Sequence, residues 1–447
     1  MSDTDQARRE RDAREAQIAR ILKRVEERLR KELPSGPQTL EQIERDVEEL
    51  GEEIKCDIQE EVVDALGSSH AGTTLACSCG GAARYRGDAV RSVVTLQGEQ
   101  VIARAYYYCS SCRAGFHPLD HSLALGSGQC SVGVRALACR FASYLPYAVA
   151  ARELEMVCGI RLSASSVQRL AKATGRTLLS EWEERETRLY GARSAEPKGP
   201  APKQLHISMD GVMAHVDGAW REVKLGVCYE RPQEGGGGPS AAAYYATLDP
   251  SEQFGRRLRA LSWVAKEPLC RNVAVLADGS DWIWKEAAKH FTQRTQILDF
   301  FHASEHLWAV ARARFGTDTK ADAQKASEWI DQQKTLLLDN RVAEVVEDIR
   351  GWQPDKAADL EIRRKELGYL TQHAGRMKYK SYRNAGFHIG SGVMESSCRW
   401  VVQQRMKGAG MRWSRDGAES MLQLRTAWCS RNNQDLISAV RRAAMVA

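Results

Sequence analysis

The 447-residue sequence lacks any apolar run of about eighteen residues, the length that a transmembrane helix needs. Its N-terminus, MSDTDQARRERDAREAQ, is charged where a secretory signal peptide carries an apolar stretch. It also lacks a strong excess of one charge, because 64 lysines and arginines stand against 58 acids, for a formal charge of +6. We therefore expect a cytoplasmic protein with no membrane partner, in which nucleic-acid binding must be judged from local clusters of cations.

Cysteine is present in a pattern that favours a metal site. The sequence has twelve cysteines, and in a cytosolic chain of this length these indicate thiols and metal ligands before disulfides. Cys77 and Cys79 form a first pair and Cys109 and Cys112 a second, with strand-like residues between them. This predicts a zinc-ribbon-like module over residues 70–128, because four thiolates suit tetrahedral zinc. The first pair is C-x-C where the usual knuckle is C-x-x-C, so a module that has lost its metal, or unrelated reduced cysteines, are the alternatives.

The regions on either side of this module are predicted to be helical. Residues 1–69 carry apolar residues at helical spacing on a strongly charged background, which predicts a helical hairpin or a self-association arm. DNA contact by the basic N-terminal half is a secondary possibility.

Residues 129–190 are typical of a helix-turn-helix DNA-binding region. One helix should end near Cys158-Gly159, and Ser163 should cap the next. In such a motif the second helix enters the major groove, and Gln168, Arg169 and Lys172 would face outward. The alternative is a set of three helices with a purely structural role.

A segment rich in Pro, Gly and Ala, GARSAEPKGPAPK, marks a boundary, and the periodicity then changes. Three strand-like segments, the first of them QLHISMD followed by a turn, precede the order helix, strand, helix, strand. This order predicts an α/β catalytic core with a ribonuclease-H-like mixed sheet, formed by residues 204–302 and 385–430. Residues 303–384 are predicted to be a helical insertion.

Three acids fall at places that this fold would bring close together. Asp210 ends the first strand, Asp278 follows the fourth, and Glu395 lies on the first turn of a helix that follows a glycine-rich turn. Strands one and four are neighbours in such a sheet, so these acids should approach one another. Three carboxylates suit a pair of Mg²⁺ (or Mn²⁺) ions that activate an attacking hydroxyl and stabilise a leaving oxygen.

Each acid also has an ordinary structural interpretation. Asp210-Gly211 and Asp278-Gly279 are common turn dipeptides, and Glu395 is an acid favoured by a helix N-terminus. Asp281 competes with Asp278. Asp299 and His302 are either an auxiliary acid and a DNA contact, or a helix cap beside a packed histidine.

Four ordered motifs carry a resemblance to a known family: SMDGV, LADGSDWIW, ILDFFHASEH and GSGVMESSCRWVVQQRMKGAGMRWS. Together with the cysteine pairs and the helix-turn-helix, they make residues 70 to 430 resemble bacterial insertion-sequence transposases of the Kra and Lre type, distant relatives of the Mutator superfamily. The resemblance implies a DDE transposase that cuts double-stranded DNA at the element's terminal repeats and joins the 3′ ends to target DNA, as a homo-oligomer. Asp210, Asp278 and Glu395 would hold the magnesium ions.

Basic residues near these motifs are the expected DNA contacts. Besides those of the helix-turn-helix, they are Arg376, Lys378, Lys380, Arg399, Arg405, Lys407 and Arg412. Two rival functions share the same residues. One is a ribonuclease-H-like nuclease or resolvase without strand transfer, and the other is a DNA-binding regulator that has lost catalysis.

Overall fold

The computed structural model describes residues 3–33, 36, 38–126, 128–191, 197–230, 240–316, 318–430 and 433–446. The chain is a mixed α/β protein that divides into two compact units. The first comprises Met1–Leu170 with Ile437–Ala447, and the second is Ala171–Leu436. The predicted boundary segment falls partly on residues 192–196, which lie outside the described residues.

The first unit begins with the predicted helical hairpin, α1 (Asp3–Glu32) and α2 (Leu40–Asp64). Thr39 and Gln42 form a capping box that fixes the start of α2. Arg20 of α1 donates to Glu61 of α2 at 3.0 Å, and two further arginines of α1 pair with acids of α2 in the same way. Part of the positive charge that the sequence offers to DNA is therefore neutralised within the hairpin.

An antiparallel sheet follows, with its strands in sequence order: β1 (Thr74–Ala76), β2 (Ala82–Thr95), β3 (Gly98–Cys109) and β4 (Gly115–Phe116). The fully buried Tyr107 stacks on Phe116 with 6.0 Å between the ring centroids. Its hydroxyl donates to Gly72 O at 2.9 Å. Tyr107 is thus a core residue of this sheet.

Four helices come next in the chain: α3 (Pro118–Ser122), α4 (Val132–Tyr144), α5 (Tyr147–Cys158) and α6 (Ala164–Tyr190). The predicted helix end is confirmed, because α5 ends at Gly159 with a left-handed φ of 64°. The predicted cap is also confirmed, because Ser163 Oγ accepts from the Ser166 backbone N–H at 3.1 Å. The last helix of the chain is α17 (Asn433–Val446).

The second unit is built on a five-stranded mixed sheet. Its strands are β5 (Gln204–Val216), β6 (Ala219–Glu230), β7 (Ser240–Thr247), β8 (Asn272–Ala277) and β9 (Thr295–Leu298). The spatial order is β7-β6-β5-β8-β9, and the first three strands are antiparallel while β8 and β9 run parallel to β5. The three strands and the helix–strand alternation that the sequence predicts are confirmed.

One turn lies at a different place from the one that the sequence predicts. β5 runs unbroken through Asp210-Gly211, and the turn lies instead at Asp217-Gly218, where φ is 50° and 76°. Two consecutive residues with positive φ form a two-residue turn that matches the twist of a hairpin, and Asp-Gly suits it. Asp210 is therefore held inside a strand, paired with Leu225 of β6, instead of lying on a loop.

Helices cover the sheet and fill the region between β9 and Glu395. They are α7 (Ser251–Val264), α8 (Asp281–His290), α9 (Phe300–Phe315), α10 (Lys320–Leu338), α11 (Val342–Gly351), α12 (Ala357–His373), α13 (Tyr379–Asn384), α14 (Gly392–Ser397), α15 (Gln404–Met406) and α16 (Arg415–Cys429). Short 3₁₀ turns occur at Glu267–Leu269 and Ala374–Arg376, and a π-helical turn, Cys398–Gln403, joins α14 to α15. The predicted helical character of residues 303–384 is confirmed for the part that the structure describes.

The core of the second unit lies between the sheet and these helices. Ile207 and Met209 of β5, Val275 of β8 and Ile297 of β9 are almost completely buried. Such all-buried parallel strands explain why NVAVLA has no polar alternation. Among the described helices, none has the combined length and apolar character that crossing a bilayer demands.

Candidate active site and cysteine cluster

Asp210 and Asp278 lie towards the carboxyl ends of the paired segments of two neighbouring parallel strands, β5 and β8. β5 and β8 pair in parallel up to Ile207 opposite Val275, and each acid lies three residues further along the chain, Asp210 within β5 and Asp278 directly after the end of β8. This register, continued beyond the end of β8, brings the two acids to neighbouring positions. The strand order is therefore consistent with the predicted approach of Asp210 and Asp278.

Asp210 is held by two donors in a partly buried position. The Gly211 backbone N–H donates to Oδ1 at 2.6 Å, and the Cys398 thiol donates to Oδ2 at 3.4 Å. Burial raises the pKa of Asp210 against these two hydrogen bonds, and the negative charge of Asp278 raises it further. A carboxylate disfavoured by burial and by a second carboxylate gains from a bound cation, so the pair fits a metal ion.

Asp278 is fixed by the start of α8. The backbone N–H and the hydroxyl of Ser280 donate to its two carboxylate oxygens at 2.9 and 3.0 Å. Its backbone carbonyl accepts from Trp284 Nε1 at 2.7 Å. The competing acid, Asp281, accepts instead from Gln372 Nε2 at 3.1 Å on the surface. These contacts favour Asp278 as the acid of the site.

Glu395 is exposed on the first turn of α14, next to the same strand edge. Its backbone N–H donates to Ser391 O at 3.0 Å, which starts the helix directly after the glycine-rich turn. Cys398, one turn later, touches Asp210, and burial, followed by the negative charges of Asp210 and Glu395, raises the pKa of its thiol. Cys398 therefore lies between the first and the third acid.

Of the roles predicted for Asp299, the structure shows that of a helix cap. Its Oδ1 accepts from the backbone N–H groups of Phe301 at 2.7 Å and His302 at 3.4 Å, and so caps α9. Its Oδ2 accepts from the backbone N–H and the hydroxyl of Ser391. Asp299 thus ties the end of β9 to the turn that carries Glu395, which is a positioning role.

His302 is close enough to the acids to act on them. Its positive charge, when protonated, lowers the pKa of Asp210. Its Nδ1 lies 3.4 Å from a carboxylate oxygen of Glu305, and its side chain is 40% exposed. His302 is therefore at the rim of the site and not packed in the core.

A π-helical turn follows Glu395 and is held by a buried arginine. The Gln404 backbone N–H donates to Arg399 O, five residues back, which defines the turn. Arg425 of α16 is fully buried, and its guanidinium donates to the carbonyl oxygens of Trp400 and Val401. Arg425 thus satisfies backbone groups that the wider turn leaves without their usual partners.

The predicted DNA contacts fall into different environments. Seven are exposed: Gln168, Arg169, Lys378, Lys380, Arg399, Lys407 and Arg412. Lys172 has its ammonium 3.0 Å from Asp416, and Lys380 lies 3.1 Å from Asp339. Arg376 donates to Gln296 at 2.8 Å and stacks on Trp284. These last three have internal partners that DNA would have to replace.

Arg405 does not reach the surface. It is 2% exposed, and its guanidinium lies 4.9 Å from the ring centroid of Trp413. The prediction that Arg405 contacts DNA is wrong, because the π-helical turn rotates the following residues and directs this side chain into the core. Lys407, two residues later, is exposed.

The four predicted zinc ligands converge at one point. Their sulfur atoms all lie within 4.8 Å of one another, with 3.6 Å between Cys77 and Cys112 and 3.7 Å between Cys79 and Cys109. A tetrahedral site with Zn–S bonds of about 2.3 Å has sulfur–sulfur edges of about 3.8 Å, so the spacing fits zinc. The C-x-C pair is accommodated, because Gly80 has a φ of 84° and turns the chain sharply.

Backbone donors prepare this cluster for a cation. The Cys112 N–H, opposed by burial and assisted by the Ser111 N–H, lowers the pKa of Cys109 to about 6. The Cys79 backbone N–H likewise lowers the pKa of Cys77. Thiolates are the form that binds metal, so the cluster can hold a structural metal such as zinc.

The acids are arranged less tightly than the cysteines. Within the described parts of the chain, the cysteines are the only group of three or more His, Cys, Asp or Glu side chains whose ligand atoms lie within 4.8 Å of one another. Two metal ions about 4 Å apart spread their ligands over a wider span than one zinc does, so this looser arrangement is compatible with a pair of ions.

Sequence reasoning missed several residues that complete the site. Tyr369 of α12 packs on Gly279, next to Asp278, and its hydroxyl is buried with no hydrogen-bond partner among the described residues. Its ring stacks on His306 with 3.5 Å between the centroids, and His306 Nδ1 lies 2.5 Å from Glu366. His306, the second histidine of the motif ILDFFHASEH, is the one member of this cluster that stands in a motif of the sequence. Glu366 and Tyr369 lie on α12, far from that motif along the chain.

The chain is therefore a mixed α/β protein with one carboxylate inside the central strand of its sheet, a second directly after the neighbouring strand, and a separate four-cysteine cluster. No family model matches the chain. The chain is similar to a UPF0236 protein in the vanSb 3′ region of Streptococcus gallolyticus, with 25% identity over 351 residues. That alignment covers 75% of this chain and 72% of the other protein, whose name states no activity.

Proposed function

We propose that this protein is a DDE transposase, which cleaves DNA at the ends of an insertion sequence and joins the 3′ ends to target DNA. One observation carries the proposal: Asp210 on β5 and Asp278 directly after the neighbouring parallel strand β8 are near enough for the charge of Asp278 to raise the pKa of Asp210, and the Cys398 thiol, one turn after Glu395, donates to Asp210. Partly buried acids that repel one another are costly unless they bind a cation.

The sheet supports the same proposal at the level of the fold. Three antiparallel strands followed by two parallel ones, in the order β7-β6-β5-β8-β9, is the arrangement expected of a ribonuclease-H-like core. The first acid lies on the central strand and the second directly after the neighbouring one. A fold alone does not define a reaction, so the proposal depends on the acids and their surroundings.

Asp210, Asp278 and Glu395 would hold a pair of Mg²⁺ or Mn²⁺ ions. Such ions, when bound, activate the attacking oxygen and stabilise the leaving oxygen. Asp210 would take the shared position, because the charge of Asp278 acts on it and the Cys398 thiol, one turn after Glu395, donates to it. Asp278 is oriented by Ser280, and the backbone of Glu395 by the Ser391 turn. Exposed Arg399, Lys407 and Arg412 on the Glu395 side would neutralise the DNA backbone.

A magnesium-dependent nicking assay on supercoiled plasmid and on DNA that flanks the coding region tests the proposal. We expect nicks that need divalent metal and Glu395. A protein that binds DNA but never nicks it under these conditions is the inactive regulator, and one that nicks but never joins is the nuclease.

The DNA-binding residues should divide into base-reading and backbone-binding ones. We expect Arg169→Ala to reduce discrimination between element ends and random DNA about tenfold, because a base-edge contact supplies about 1–3 kcal/mol of discrimination. Arg169 is exposed on α6 and bonded only locally, to Ser166 Oγ at 3.0 Å. Titration against both DNAs measures the ratio.

Lys378→Ala is the matched comparison for Arg169→Ala. This exposed lysine should contact phosphate, so its loss should weaken both DNAs equally and reduce the salt dependence of binding by about one unit of slope. If Arg169→Ala also lowered the affinity for both DNAs equally, α6 would not be the element that reads bases.

Tyr369→Phe should slow metal-dependent cleavage on the order of tenfold while leaving DNA affinity and thermal stability unchanged. Its hydroxyl is buried on Gly279 beside Asp278 without a hydrogen-bond partner among the described residues, and a small local movement would let it donate to a water or phosphate oxygen at the metals. Single-turnover rates measure the effect, and wild-type rates in Tyr369→Phe would limit this side chain to packing. Gly279→Ala is a second variant, because an added Cβ would lie 2.4 Å from the Tyr369 hydroxyl and displace it.

A further inference from the structure

Exposed aromatic side chains of the second unit are concentrated around the acids. Among its described residues, the exposed aromatics are Tyr190, Trp220, Phe301 and Trp400. Phe301 packs on Gly390 at the turn before Glu395, and Trp400 lies five residues after Glu395. Only Tyr190 is elsewhere, against His290 and Arg256. Large exposed rings are unfavourable in water, so their clustering indicates a ligand with flat apolar faces.

A groove of about 670 Å³ connects one of these rings to the catalytic acid. Its walls include Glu395, Arg399, Trp400, Gln403 and Lys407. A smaller depression of about 240 Å³ shares Lys407 and continues to Trp220, His215 and Arg412. The ammonium of Lys407 lies 5.9 Å from the ring centroid of Trp220. A band of alternating rings and cations thus begins at the third acid.

The π-helical turn is the reason that Glu395 and Trp400 share this groove. In an α-helix with 3.6 residues per turn, side chains five residues apart point about 140° away from each other. The wider turn at Cys398–Gln403 closes on hydrogen bonds from residue i to i+5, which brings such residues back towards one face. Buried Arg425 holds the turn through the carbonyl oxygens of Trp400 and Val401.

We propose that this band binds an unpaired single-stranded segment of DNA at the cleavage site, with Trp400 and Trp220 stacking on its bases. Rings interleaved with cations are how proteins hold single strands without regard to sequence, because every base has a flat face and every nucleotide a phosphate. A paired duplex hides these faces within its own stack. The proposal rests on the proposed transposase function, because it takes Glu395 as the point where the strand is cut.

Binding to two matched DNAs tests this. One is a duplex with a single-stranded 3′ extension that contains 2-aminopurine, and the other is the same duplex with blunt ends. The protein carries Asp278→Asn so that neither DNA is cut. We expect the extended DNA to bind about tenfold more tightly, with 2-aminopurine fluorescence quenched by stacking.

Single aromatic replacements locate the effect. Trp400→Ala and Trp220→Ala should each remove most of the preference and the quenching, whereas Trp400→Phe, which keeps a ring, should retain much of both. Tyr190→Ala is the control, because this exposed ring lies outside the band and its loss should change neither. Both tryptophans are exposed, so their replacement leaves the core intact, and melting temperatures verify it.

The outcomes separate this proposal from the function on which it rests. Equal affinity for the two DNAs, or a preference that survives both alanine variants, overturns the aromatic band even if wild-type protein cleaves DNA through Glu395. A preference that depends on Trp400 and Trp220 supports the band, and if wild-type protein then shows no metal-dependent cleavage, it is the transposase function that fails.

Discussion

We expect Asp210→Asn, Asp278→Asn and Glu395→Gln each to lower the rate of metal-dependent DNA cleavage on the order of a thousandfold or more. Each replacement removes an anionic metal ligand and almost no volume, and metal-ion catalysis supplies several kcal/mol of stabilisation to the reacting phosphate. DNA affinity should stay within about twofold, because the exposed cations that contact the backbone are unchanged. Initial rates on labelled duplex DNA measure the loss.

The folding of these variants serves as the control. Burial raises the pKa of Asp210, so ionising this side chain costs more free energy in the metal-free folded protein than in the unfolded chain. Stability linked to this group is therefore present at low pH and lost as pH rises through the raised pKa. Asp210→Asn removes the charge and should melt no lower than wild type at neutral pH. Near-wild-type cleavage by any variant would remove that acid from the site, and Asp281→Asn would be tested next.

Removing the metal from the cysteine cluster should have the second large effect. We propose that Cys77, Cys79, Cys109 and Cys112 bind one zinc ion per chain, as their sulfur spacing indicates. Structural zinc contributes on the order of 10 kcal/mol to folding, far more than so small a sheet can supply from its own core. Cys109→Ser should therefore expose residues 70–120 to protease and weaken DNA binding.

A nearby cysteine provides the matched control for Cys109→Ser. Cys56 lies on α2, outside the cluster, and Cys56→Ser should leave both zinc content and protease resistance unchanged. Elemental analysis of the purified protein should find one zinc per chain in wild type. A value well below one, with residues 70–120 still resistant to protease, would contradict the metal assignment.

The parts of this structure that follow from local pattern were predictable from the sequence. The apolar run NVAVLA gave a buried strand, and Gly159 with Ser163 gave the junction between α5 and α6, because these signals act over a few residues. The cysteine cluster was predictable for a similar reason, since two short-spaced pairs separated by a hairpin have few ways to close.

The remaining features depend on contacts between distant segments. Asp210-Gly211 has the composition of a turn, but pairing with β6 keeps it in a strand while Asp217-Gly218 turns instead. Arg405 has the composition of a surface cation, yet the π-helical turn directs it into the core. No pattern in one segment specifies that Arg425 will hold this turn.

The residues that complete the site were hidden for the same reason. Cys398 stands in no metal or catalytic pattern of the sequence, and only the packing of the π-helical turn against β5 shows that its thiol donates to Asp210. Tyr369 lies on a helix whose sequence carries no catalytic motif, and it reaches Asp278 only because α12 folds back over Gly279. Partners of this kind require the three-dimensional structure.

Strand transfer tests the central claim most directly. Wild-type protein is incubated with Mg²⁺, a labelled duplex that ends in a free 3′ hydroxyl and carries the DNA that flanks its own coding region, and a supercoiled plasmid as target. We expect the label to become joined covalently to the plasmid through the 3′ end. This joined product should be absent without divalent metal and absent with Glu395→Gln. Nicked plasmid and shortened duplex with no joined product would identify a hydrolytic nuclease instead and contradict the claim.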